Sequence, residues 1–202
     1  MPASAMEEVD LITGISLALP GEGPIFLGGM ATEAVGYYIQ VKAAAVSLPG
    51  SKMNALGTSK QQRLFIDSVF SRLDPILNVD FARQKDKQGS LIDFYSVDNI
   101  GGNKANLGMA LRQGNKFDLL WKQTSGDNSI CSSDKESIVH EVGHALGLRH
   151  PFDDPWNPAF TTASTAMSYN TDATMASNPW FSANDLAALV KIWGPETDPV
   201  IA

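Results

Sequence analysis

The chain is predicted to be an α+β protein, and three observations predict it. Short segments alternate apolar and polar residues, three other segments carry apolar residues at helical spacing, and turn or capping residues bound them. The 202 residues suffice for one well-buried core with an N-terminal extension. Residues 1–30 match no such pattern and are assigned to that extension, a pro-segment or a clamp. Residues 31–202 form the domain.

Val35, Tyr37, Ile39, Val41 and Ala43 alternate with Tyr38, Gln40 and Lys42, which predicts a strand closed by Pro49-Gly50. Thr58 or Ser59, with Gln61 or Gln62 three residues on, opens a helix as a capping box. Phe65, Ile66, Val69, Phe70 and Leu73 give that helix one apolar face, and Pro75 ends it. Residues 79–83 and 91–97 read as short strands separated by a charged turn. Residues 107–112 and 117–121 read as two more, joined around Gln113-Gly114-Asn115. Ser133-Asp134-Lys135-Glu136 matches a second capping box, opening a helix that runs to about Leu146. Ser182 to Asp185 caps a third, with Leu186, Leu189, Val190 and Trp193 at helical spacing and Gly194-Pro195 as its stop.

All three histidines fall in one stretch, His140-Glu141-Val142-Gly143-His144-Ala145-Leu146-Gly147-Leu148-Arg149-His150. Positions four apart share a helix face, so His140 and His144 can aim ring nitrogens at one point. Glu141 projects from an adjoining face, suited to a general base acting on a metal-activated water rather than to ligation. Six residues past His144 points the wrong way on a straight helix. Gly147 accepts the left-handed conformation that ends helices and lets His150 return, and Pro151 blocks any resumption. Three protein ligands leave a fourth position open, the mark of a catalytic rather than a structural zinc site.

The stretch resembles the signature of the metzincin zinc endopeptidases, and its wording is most similar to the serralysin and matrixin branches. Thr165-Ala166-Met167-Ser168-Tyr169 resembles the Met-turn of that family in its serralysin form. The resemblance implies Zn2+ held by His140, His144 and His150, with Glu141 as general base. It implies Tyr169 as a residue able to ligate zinc and to stabilise the oxyanion. It implies a metzincin catalytic domain over residues 31–202, with a mixed, mostly parallel twisted sheet, an antiparallel edge strand and three main helices. It implies that the strand after Leu107 is that edge and pairs with an extended substrate. It places substrate preference in the wall formed by residues 170–181. The activity implied is zinc-dependent hydrolysis of peptide bonds in proteins; the alternative is a catalytically silent, zinc-stabilised binding module.

Charged residues make up 18% of the chain and net charge is −7, which disfavours nucleic acid and anionic membrane as partners. A protein or peptide substrate and a protein inhibitor remain, and the chain is expected to be monomeric. No apolar run approaches the ~20 residues of a membrane span. Residues 11–19 are the nearest to a signal-peptide core, but Thr13, Gly14 and Ser16 interrupt them and Glu7, Glu8 and Asp10 precede them. The single cysteine, Cys131, excludes an internal disulfide. The expected location is extracellular by a route without a cleavable signal peptide, with the cytoplasm as alternative. The calcium-binding repeats that follow a serralysin domain are absent from these residues. Asp153 and Asp154 are the candidates for a Ca2+ site, and two carboxylates fall short of the 6–8 oxygens calcium takes.

Overall fold

The computed structural model describes residues 34–48, 51–101, 105–125, 129–172 and 179–197. The extension assigned to residues 1–30 lies outside them. In chain order the strands are β1 (Ala34–Ile39), β2 (Lys42–Leu48), β3 (Ser51–Gly57), β4 (Asp80–Arg83), β5 (Ile92–Val97), β6 (Gly108–Gln113) and β7 (Lys116–Lys122). The helices are α1 (Lys60–Leu73), α2 (Ser132–Ala145) and α3 (Ala183–Trp193), with a 3-10 turn at Pro151–Asp153.

Period-two alternation gives the seven-stranded sheet two apolar faces. Ile92 and Phe94 of β5 and Phe117, Leu119 and Trp121 of β7 face the larger core, which the apolar sides of all three helices complete. Tyr95 and Val97 of β5 and Leu120 of β7 face the opposite way, into a smaller core with Val46, Leu48 and Ala55 of the β2–β3 pair. The larger core is tied together by Phe70 of α1, which stacks on Tyr37 at 4.2 Å and meets Phe94 edge-on at 5.9 Å.

The sheet is mixed in equal measure, which corrects the expectation of a mostly parallel one. The pairs β1–β4, β1–β5 and β5–β7 are parallel, whereas β2–β3, β3–β5 and β6–β7 are antiparallel. The strand expected through residue 43 divides at Gln40 and Val41. Thr58 fixes that corner, its N–H donating to the Val41 carbonyl at 3.2 Å and its hydroxyl to the Gln40 carbonyl at 3.0 Å. Gly57 beside it has φ +82°, and a side chain there would strike the backbone of residues 41–43. β2 pairs antiparallel with β3, Leu48 opposite Ser51, while Pro49-Gly50, where the expected strand was to close, lies outside the described residues. β7 occupies one edge of β5 from Ile92 to Val97. β1 and β3 therefore share the other edge, β1 along Ile92–Phe94 and β3 at Val97.

α1 begins at a reciprocal box in which Ser59 caps and Gln62 bonds back. α3 begins at the same device made by Ser182 and Asp185. α2 differs from expectation. Its N-cap is Cys131, with no side-chain cap, and Asp134 is turned inward instead. There it accepts from the Thr124 N–H at 3.0 Å, the Thr124 hydroxyl at 2.8 Å and the Ser125 hydroxyl at 3.0 Å. Glu136 is thus free of any capping duty. Among the described residues, no helix is long and apolar enough to cross a membrane.

Candidate metal centre

α2 lies over β6 and β7 and ends where the motif requires. Gly147 has φ +104°, and the backbone turns as Gly147 N–H donates to the His144 carbonyl at 3.1 Å and Leu148 N–H to that of Gly143 at 2.8 Å. His150 comes back beside His140 and His144. Trp193 of α3 pins the corner by donating its indole N–H to the Leu146 carbonyl at 2.9 Å.

One ring nitrogen from each of the three histidines lies within 4.8 Å of the other two. Among the described residues this is the group of three or more His, Cys, Asp or Glu side chains placed to hold a metal. Two ring orientations are set by backbone carbonyls: His140 Nδ1 lies 2.8 Å from Ala166 O, and His144 Nδ1 lies 2.9 Å from Leu148 O. A carbonyl only accepts, so both Nδ1 atoms carry the proton and both Nε2 atoms offer a lone pair. His140 Nε2 and His150 Nε2 are 3.2 Å apart. Ligands at 2.0–2.1 Å on a tetrahedral ion sit about 3.4 Å from one another. The donor set and its spacing fit zinc.

Burial holds the site in the form a metal needs. It pushes the His140 pKa well below the usual value, with His144 beside it adding to the effect. Burial and the His150 neighbour bring His144 down to about 4, and burial lowers His150 as well. Neutral imidazole is the ligating form. Glu141, also buried, is pushed up to about 8 by desolvation, and among the described residues no group hydrogen-bonds its carboxylate. A cation on the three histidines would draw that pKa back down.

Met167 is fully buried against α2, and Gly143 makes room for it, since a Cβ at 143 would stand 2.7 Å from the Met167 sulfur. Tyr169 lies with its ring centroid 5.3 Å from that of His140 and 5.2 Å from that of His150. The predicted residues His140, His144, His150, Glu141 and Tyr169 are therefore brought together. Of the two calcium candidates, Asp153 pairs with Arg149 at 3.0 Å, and Asp154 accepts from the Trp156 N–H at 3.0 Å. Cys131 lies 2.9 Å from the Thr124 hydroxyl.

Comparison with known proteins adds little to this geometry. No family model matches the chain, and no curated protein matches it. Among solved structures it is similar to a chain of the "GM1 bound form of the ECX AB5 holotoxin", at 13% identity over 83% of each chain with a TM-score of 0.48. Neither a family model nor a curated protein carries the metzincin resemblance, and it is corrected: the serralysin and matrixin names, the family's fold and the labels that came with them are withdrawn. A likeness of this strength fixes no activity for the chain, so its site is read from its own residues.

A cleft of about 420 Å3 opens beside His140, Glu141 and Tyr169, all three of which line it. Besides the expected residues it is lined by others the spacing did not single out, among them Gly108 and Glu136. Of the expected wall at residues 170–181, Thr171, Pro179 and Trp180 line the cleft, while 173–178 lie outside the described residues. Glu136 and Gly108 carried usable signals. Glu136 lies one helical turn before His140, and Gly108 opens a strand at a position where a side chain is otherwise favoured.

Proposed function

We propose that the chain is a zinc-dependent hydrolase of peptide bonds, with Glu141 as its general base. What carries the reading is the convergence of three neutral imidazoles, two with fixed tautomers, beside a buried and unengaged carboxylate at the base of an open cleft. His140, His144 and His150 would hold the metal. Zinc bound there supplies a lowered water pKa and polarises the substrate carbonyl. Glu141 accepts the proton of the water that attacks the carbonyl carbon, and returns it to the amine nitrogen as the C–N bond breaks. Tyr169, lining the cleft beside His140 and His150, donates to the carbonyl oxygen as negative charge gathers on it. β6 pairs only with β7 among the described strands, so its outer edge can take an extended substrate by strand addition.

The test is hydrolysis of casein and of short peptides between pH 5 and 9, alongside native mass spectrometry for bound zinc. One zinc per chain with turnover abolished by a chelator supports the proposal. One zinc with no turnover of any substrate replaces it with the silent binding module.

Gly108→Ala bears on the same reading. The Glu141 carboxylate packs against the Cα of Gly108 so closely that any Cβ there would collide with it. The variant is expected to lower the hydrolysis rate at least about tenfold while zinc content stays at the wild-type level, because the carboxylate is displaced and the histidines are not. Unchanged kcat/KM in that variant would remove Glu141 from the reaction as placed here.

A further inference from the structure

α2 turns a polar stripe toward the cleft before it reaches the histidines. Ser133, Glu136, Ser137 and His140 fall at i, i+3, i+4 and i+7, one face of the helix, and all line the cavity. Glu136 is half-buried there, and burial raises its carboxyl above the ordinary range. Among the described residues it has no hydrogen bond or ion pair. Two cations are held on aromatic rings: Lys135 lies over the Phe65 ring at 5.7 Å, and Arg72 over the Trp180 ring at 3.4 Å. Val139, Ala166, Pro179 and Trp180 are among the apolar residues that line the same cleft. Trp180 is fixed as a wall by Arg72 on its face and by Phe181, whose ring lies 5.3 Å away.

A carboxylate drawn out of water without a partner costs free energy that an arriving cation would recover. Lysine and arginine suit such a slot, because their aliphatic stems pack on apolar walls while the charged end seeks an anion. Four residues of helix separate Glu136 from His140 by ~6 Å, a distance that a lysine stem spans. We propose that this part of the cleft is a subsite for a lysine or arginine side chain, read by Glu136, in the substrate residue beside the scissile bond. It rests on the hydrolase reading for the substrate's being a peptide.

Binding and cleavage separate the two. Labelled peptides identical but for a central Lys, Met or Glu are titrated, by fluorescence anisotropy, against zinc-loaded full chain carrying Glu141→Gln to suppress turnover. The Lys peptide is expected to bind about tenfold more tightly than the Met peptide, and the Glu peptide most weakly. Adding Glu136→Gln should bring Lys and Met within about twofold, and Glu136→Lys should make the Glu peptide the best of the three. Equal affinity for Lys and Met at the outset, no measurable binding of any peptide, or a Lys preference that survives both substitutions overturns the subsite. Lys-selective binding with no cleavage by the wild-type chain would leave the subsite standing and remove the hydrolase reading.

Discussion

Glu141→Gln is expected to retain one zinc per chain and to lose peptide hydrolysis by about 10²–10⁴-fold, the usual contribution of a positioned acid–base group. The substitution keeps the shape of a side chain wedged against Gly108 and breaks no hydrogen bond among the described residues, so the three histidines stay in place. It removes the capacity to take a proton. Stability of the metal-free chain should hold or rise. The folded Glu141 carboxyl titrates at about 8, above its ordinary 4.5, because burial disfavours the charge. Between those values the folded state binds the proton that the unfolded state has released, so stability falls as pH rises. Glutamine removes that loss at neutral pH. Zinc content, kcat and melting temperature measured on one preparation give the full answer. A variant with full zinc and wild-type kcat would show that another group is the base.

The histidine cluster was legible because its information is local. Four residues of helical spacing, a glycine able to take φ +104° and a proline after His150 decide where three imidazoles go, whatever surrounds them. The sheet was less legible. The alternation from Val35 to Ala43 runs unbroken through a corner that exists because Thr58, far along the chain, bonds the carbonyls of residues 40 and 41. A period-two pattern cannot reveal such a corner, and with it went the β2–β3 pair, whose strands make two of the three antiparallel pairings. Glu136 was hidden by a different conflict. Ser133-x-x-Glu136 has the form of a capping box, but the helix starts earlier and Asp134 is claimed by Thr124 and Ser125. Freed of that role, Glu136 faces the cleft. Asp185 was legible as a cap on α3, while its second role depends on a segment about twenty residues before it in the chain.

That second role makes Asp185→Ala the most damaging change expected outside the ligands. Its carboxylate is fully buried, and burial raises its pKa even though hydrogen bonds from Thr165, Ala166 and Ser182 act to lower it. Oδ1 accepts from the Thr165 hydroxyl at 2.5 Å, and Oδ2 accepts from the Ala166 N–H at 2.7 Å and the Ser182 N–H at 2.8 Å. Alanine strands these donors out of water and removes half of the α3 capping box, at a cost of roughly 3–5 kcal/mol. For a domain of this size that lowers the melting temperature on the order of 10 °C. The damage should also reach the metal. Ala166, held by Asp185, carries the carbonyl that fixes His140 Nδ1–H, so zinc affinity should fall about 10–100-fold, as when a partner that orients a ligand is removed. Asp185→Asn separates the two effects. One amide oxygen can still accept from Ala166 N–H while the NH2 group meets the Thr165 hydroxyl oxygen, so zinc affinity should recover more than the melting temperature does. Calorimetry and competitive zinc titration read both quantities. Wild-type zinc affinity in a destabilised Asp185→Ala chain would mean that His140 is oriented by its packing and not by the Ala166 carbonyl.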